Sequence, residues 1–199
     1  MILIIISILF YLLDKSNSLI NHEKTNQFEC LIGNNKYTYE YLSSSNDHFT
    51  SPIDNLIINA KYHHIYLINE LTLKKLSNVK WIFIQMNQLD DTYYLKSKIL
   101  NEYLCASDLL DEFGRRDIYS IHIRNDHFKI KSNKIDLKCV WKFQRTLSDY
   151  AFNSYFIRNA YYTNESLFSA ITKTTKYKRN VYLWNKVPSN DKYKWIIDC

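Results

Sequence analysis

The chain has 199 residues and a net charge of +6, with 17 Tyr, 10 Phe and 4 Trp but only two Gly and two Pro. That length suits one compact domain with a real core, and the wealth of aromatic and β-branched residues excludes a disordered or collagen-like chain. Gly33 and Gly114 lie 81 positions apart, which excludes the glycine-dependent phosphate cradles and the G-x-S-x-G nucleophile elbow.

Residues 1–18 read as an address. Met1 to Leu13 is an almost unbroken apolar run of thirteen residues, followed by Asp14-Lys15 and the small residues Ser16 and Ser18. It is short of the roughly 20 residues a membrane crossing needs. The pattern predicts a secretory signal peptide cleaved after Ser18, then a short segment over 19–26 and a secreted, extracellular domain over 27–199. An oxidising compartment gives the cysteines their meaning. Cys30, Cys105, Cys139 and Cys199 are an even set whose spacings of 75, 34 and 60 residues exclude C-x-x-C redox and zinc-ribbon chemistry, so two disulfides are expected.

From residue 27 onward the chain is written three times. One block reads Glu40-Tyr41-Leu42, Glu102-Tyr103-Leu104 and Glu165-Ser166-Leu167, each followed by small residues. A second reads Arg115-Arg116-Asp117-Ile118-Tyr119 and Lys178-Arg179-Asn180-Val181-Tyr182 and, more loosely, His63-His64-Ile65-Tyr66. A third closes each unit with Trp81, Trp141 or Trp195. A fourth opens it: Tyr93-Tyr94-Leu95-Lys96, Tyr155-Phe156-Ile157-Arg158 and, more loosely, Phe28-Glu29-Cys30-Leu31. The repeats are expected over about 27–87, 88–147 and 148–199. Each holds four short β-rich runs separated by Asn, Asp, Ser and Lys, which predicts an all-β sandwich or barrel. With glycine nearly absent, positive-φ turns fall to Asn, of which there are 20.

Three four-strand units, each closed by a tryptophan strand, resemble the β-trefoil. The wording N-E-Y-L-x-A-S, R-R-x-I-Y and V-W-K-F resembles the secreted β-trefoil proteins of insect haemolymph and saliva, with the small moth lipoproteins as distant relatives. The resemblance covers roughly residues 27–199 and implies six barrel strands and six cap strands about a pseudo-threefold axis. It implies a core built from Leu42, Leu104, Leu167, Ile65, Ile118, Val181, Trp81, Trp141 and Trp195. A closed barrel makes the first and last strands neighbours, which favours Cys30 with Cys199 and leaves Cys105 with Cys139.

No catalytic set assembles from the residues. His63 and His64, adjacent on a strand, point to opposite faces, no H-E-x-x-H exists, and no Ser or Cys sits in a nucleophile signature. The repeated Glu40, Glu102 and Glu165, with Arg116 and Arg179 downstream, read as turn-closing ion pairs rather than acid/base carboxylates. No enzyme activity, cofactor or metal is therefore expected. The expected role is a non-enzymatic binding protein that engages an anionic glycan, glycoprotein or cell-surface partner. Its candidate face is basic and aromatic: Lys173, Lys176, Tyr177, Lys178, Arg179, Tyr182 and Trp184. Nucleic acid is an unlikely partner, because no run of five Lys or Arg occurs. The alternatives are a Kunitz-like protease inhibitor, similar in size, signal peptide and cysteine count, or a storage or structural haemolymph protein. A ricin-type lectin also closes each unit with Trp, but Val79, Cys139 and Tyr193 stand where its Q-x-W pattern has Gln. One N-glycosylation sequon, Asn164-Glu165-Ser166, falls in a turn.

Overall fold

A computed structural model of the chain describes residues 26–49, 62–69, 79–86, 91–122, 137–146, 154–175, 177–185 and 191–199. The expected signal peptide and Lys176 lie outside them. Among the described residues the chain is all-β: β1 (Gln27–Asn34), β2 (Glu40–Phe49), β3 (Tyr62–Asn69), β4 (Lys80–Gln85), β5 (Thr92–Ser97), β6 (Tyr103–Leu110), β7 (Arg116–Ile121), β8 (Val140–Arg145), β9 (Ser154–Asn159), β10 (Ser166–Lys173), β11 (Lys178–Trp184) and β12 (Lys194–Asp198). A 3-10 turn over Asp191–Tyr193 leads into β12.

The strand pairings, all antiparallel, form two sets joined by the short pairings β1–β2, β5–β6 and β9–β10. β1 pairs with β4, β4 with β5, β5 with β8, β8 with β9, β9 with β12, and β12 returns to β1, so six strands close a ring. The other six form the hairpins β2–β3, β6–β7 and β10–β11. Their second strands pair with one another, β3 with β7, β7 with β11 and β11 with β3. Full closure leaves the ring without an exposed edge for another chain to extend.

Alternation along the strands builds the interior. All nine expected core side chains are buried, and Leu42, Leu104, Leu167, Trp141 and Trp195 are fully enclosed. Each tryptophan anchors a hairpin to the barrel through the same bond. Indole Nε1 donates to the carbonyl of Leu42 from Trp81 (2.9 Å), of Leu104 from Trp141 (2.8 Å) and of Leu167 from Trp195 (3.0 Å). Below them Ile32, Leu95 and Ile157 form an enclosed layer.

Register corrects one detail of the repeat. Trp81, Trp141 and Trp195 lie opposite Ser97, Asn159 and Asn34, so Ile32, not Cys30, is the equivalent of Leu95 and Ile157. The first copy of the opening block is therefore Cys30-Leu31-Ile32-Gly33. A two-residue offset keeps the same strand face, which is why the apolar pattern alone did not reveal it.

The disulfides join Cys30 to Cys199 and Cys105 to Cys139. The first ties β1 to the residue after β12, the neighbouring-strand arrangement the sequence leads one to expect. The turns use Asn only in part. Asn101 (φ 58°) and Tyr39 (φ 67°) occupy equivalent left-handed positions just before Glu102 and Glu40, and Gly114 (φ 71°) closes the β6–β7 hairpin.

Candidate functional site

The repeated glutamates have structural partners, but in other units rather than their own. Arg179 reaches Glu40 across 139 residues, with Nε donating to Oε2 at 2.7 Å and Nη2 to Oε1 at 3.2 Å. Arg116 forks onto Glu165 in the same way, at 2.8 and 3.0 Å. His63, the equivalent of both arginines, lies 2.8 Å from Glu102. The third unit thus grips the first, the first the second, and the second the third. Each guanidinium also lies over a ring, Arg179 on Tyr37 at 3.4 Å and Arg116 on Tyr162 at 3.6 Å, and each donates to a backbone carbonyl of its own hairpin. Burial opposes ionisation of Glu40, but hydrogen bonds from Arg179 and Lys173 outweigh it and hold the carboxyl below its ordinary range.

These contacts remove Arg179 from the candidate face: it is 5% exposed with its guanidinium committed, so the correction follows from its burial between two units. Lys173 leans to the same carboxylate, 2.9 Å from Glu40, with a third of its side chain in solvent. The rest of the face divides. Tyr177 is exposed at the β10–β11 tip. Lys178 lies over the ring of Tyr66 at 5.1 Å. Trp184 is half-buried edge-on against Phe168. Tyr182 accepts from Asn180 Nδ2 through its hydroxyl at 2.7 Å, and its ring carries the guanidinium of Arg115 at 4.5 Å.

Arg115, which the sequence marks as part of a repeated block but not of the expected face, lies against that face. It comes from the β6–β7 hairpin, and strand pairing of Tyr182 with Asp117 brings it beside β11. Asp111 fixes it, accepting from its Nε at 2.7 Å, while Phe113 lies under the same guanidinium at 4.8 Å and is 62% exposed. Phe113, Arg115 and Tyr182 therefore form an aromatic–cation–aromatic array spanning two units. Asp111 also pairs with Nη2 of Arg115 at 2.7 Å, so the guanidinium's charge is already met, and the array offers a sugar ring fixed aromatic surface.

The far end of the barrel holds a different site. Phe83 and Phe143 floor a cavity of about 430 Å³ whose lining also includes Phe28, Tyr93, Tyr155, Ile197, Asp91, Asp198 and Cys199. The rings touch in sequence, Phe28 with Phe83 at 5.2 Å, Phe83 with Phe143 at 5.1 Å, Tyr93 with Phe143 at 5.5 Å and Phe143 with Tyr155 at 6.2 Å. Burial, with the charge of Asp91 beside it, pushes the Tyr93 phenol up.

No group of three or more His, Cys, Asp or Glu side chains suited to a metal occurs among the described residues. No helix among them is long and apolar enough to cross a membrane. Asn164 of the sequon is exposed in the turn before β10, although the hydroxyl-bearing Ser166 is buried.

No protein-family model matches the chain, and no curated protein matches it in sequence. Solved structures do match in fold. A Culex quinquefasciatus salivary protein of the Cysteine and Tryptophan-Rich family is 14% identical over 90% of this chain and 98% of its own, with a TM-score of 0.58. The designed 3-fold symmetric protein ThreeFoil is 9% identical over 86% of this chain and 98% of its own, at 0.57. The Macrolepiota procera ricin B-like lectin, solved with lactose, is 15% identical over 86% of this chain and 94% of its own, at 0.53. The all-β architecture is thus one shared with a threefold-symmetric design, a lectin and an insect salivary protein.

Proposed function

We propose that this is a secreted, non-enzymatic β-trefoil protein of insect salivary or haemolymph type that binds an anionic glycan or glycoprotein. The face is formed by Phe113, Arg115, Tyr177, Lys178 and Tyr182. The carrying observation is the Arg115 guanidinium, paired with Asp111 and held between the rings of Phe113 and Tyr182, because it fixes stacking surface in one array on the strand face that also carries Lys178. The ring closure of six strands, the three mutually paired hairpins and the thrice-repeated Trp-to-Leu bond support the trefoil reading. The fold likeness to a lectin and to a salivary protein supports the choice of a carbohydrate-bearing partner outside the cell.

The test is heparin chromatography and a glycan array on the native protein, with a serine-protease inhibition panel on the same sample. Retention on heparin beyond about 0.15 M salt is expected, because exposed charges are screened within about 8 Å at that ionic strength and only a clustered set survives. Phe113→Ala and Lys178→Glu should each lower the eluting salt. Elution below that salt with no glycan bound would overturn the reading, and stoichiometric inhibition of any protease would replace it with the inhibitor alternative.

A further inference from the structure

We propose that the open end of the barrel is a second binding site, independent of the glycan face, that takes a small organic cation: an ammonium or amine with apolar or aryl substituents. The cavity of about 430 Å³ lies within the roughly 300–1,000 Å³ of small-molecule sites. Its floor is buried, with Phe83 at 2% and Phe143 at 6% exposure, while Phe28, Tyr93 and Tyr155 stand partly open above it. Most of these rings meet edge to face. Such packing turns ring faces, which carry negative potential, in several directions around one space. That is the environment a weakly hydrated organic cation prefers to water.

Charge points the same way. Asp91 and Asp198 line the cavity, no Lys or Arg does, and neither carboxylate has a hydrogen-bond or ion-pair partner among the described residues. In a chain of net charge +6 this is a locally acidic pocket. The repeat does not demand it. The positions equivalent to Asp91 hold Phe28 and Asn153, and those equivalent to Asp198 hold Ile84 and Gln144, so the carboxylates are additions at one mouth rather than parts of the scaffold. Two rim carboxylates on an aromatic wall suit an organic ammonium better than a metal ion, which would need to replace its hydration shell with oxygen ligands.

The experiment is calorimetric titration of the native, disulfide-intact protein with phenyltrimethylammonium and choline. Beside them runs 3,3-dimethyl-1-butanol, the uncharged counterpart of choline. Both cations should bind, and the alcohol at least about tenfold more weakly. Asp91→Asn combined with Asp198→Asn should weaken both cations at least about tenfold while leaving heparin elution unchanged, which separates this site from the glycan face. Three results would overturn the proposal: no cation binding up to about 10 mM, equal binding of the alcohol, or cation affinity unchanged in the double variant.

Discussion

Arg179→Ala removes the grip of the third unit on the first. The change deletes the two hydrogen bonds to Glu40 at 2.7 and 3.2 Å, the donations to the carbonyls of Ala170 and Ile171, and the stacking on Tyr37. It leaves a carboxylate at 4% exposure. Breaking one side of a buried pair costs about 3–5 kcal/mol. Lys173, 2.9 Å from the same carboxylate, stays as a partial partner, so the lower end, about 3 kcal/mol, is expected. For a domain of this size that is roughly 6–12 °C in Tm. The assay is urea denaturation of the disulfide-intact protein, read as a fall in midpoint at unchanged m-value. Glu40→Gln removes the stranded charge, so in a double-mutant cycle it should recover at least about 1.5 kcal/mol of the loss. Lys173→Ala, whose charge is one-third exposed, should cost less than about 1 kcal/mol. A loss below about 1 kcal/mol for Arg179→Ala, or no coupling to Glu40, would refute the inter-unit grip.

Trp141→Phe should cost about 2–4 kcal/mol in the same assay, because it strands the buried Leu104 carbonyl and opens a void in an enclosed site. Acid should destabilise the fold: Glu40 and Asp108 are held below their ordinary values by hydrogen bonds that outweigh burial. A depressed folded-state pKa gives stability that is complete above the unfolded value and lost as pH falls through the folded one, so the denaturation midpoint should drop below about pH 4.5, and less steeply in Glu40→Gln. Replacing Cys30 and Cys199 by Ala opens a loop with a sequence separation of 169, for which chain entropy gives about 5 kcal/mol of lost stability, measured by chemical denaturation. Tyr39→Asn relieves a bulky residue at φ 67° and should raise Tm, by about 0.5–1 kcal/mol in stability terms.

The core was legible because the repeated blocks mark equivalent positions, and equivalence in a closed barrel places Leu42, Leu104 and Leu167 at equal depth; the disulfide pairing was favoured only through closure of the barrel, which makes the first and last strands neighbours. The glutamate partners were not. Repetition says that Glu40, Glu102 and Glu165 share one role, but Arg116 lies 14 residues from Glu102 and 49 from Glu165, so nearness in sequence points to the wrong partner. Only the pairing of β3, β7 and β11 decides that Arg116, Arg179 and His63 each cross to a different unit. The candidate face failed at Arg179 for the same reason: a charged residue near a hairpin tip reads as exposed until the neighbouring hairpin covers it. Arg115 was legible only as a member of the R-R-x-I-Y block; its place against Tyr182, 67 residues away, comes from a strand register that no local pattern records.

The three junctions are equivalent in position but not in chemistry, and the differences at one of them occur together. Two junctions stack an arginine on a tyrosine and fork it onto glutamate. At the third the arginine is His63, the position of Tyr37 and Tyr162 holds Ile99, and that of Asn34 and Asn159 holds Ser97. A guanidinium held flat on a ring offers two parallel N–H groups to both carboxylate oxygens; an imidazole offers one. Ser120 adds a second donor, its Oγ donating to Glu102 at 2.7 Å from a position where the other units place Leu67 and Leu183, but onto Oε2, the oxygen that His63 Nδ1 already meets. The carboxylate thus has two partners on one oxygen in place of one fork onto both. Beside this junction lies the second buried cluster, in which Tyr62 and Ile121 pack with Cys105 and Cys139. The Cys105–Cys139 bond therefore falls where the ion-pair ring has its single-pronged link. That bond joins β6 to the residue before β8 within the second unit, so it fixes the strand that follows Glu102 rather than bridging two units as the arginine forks do.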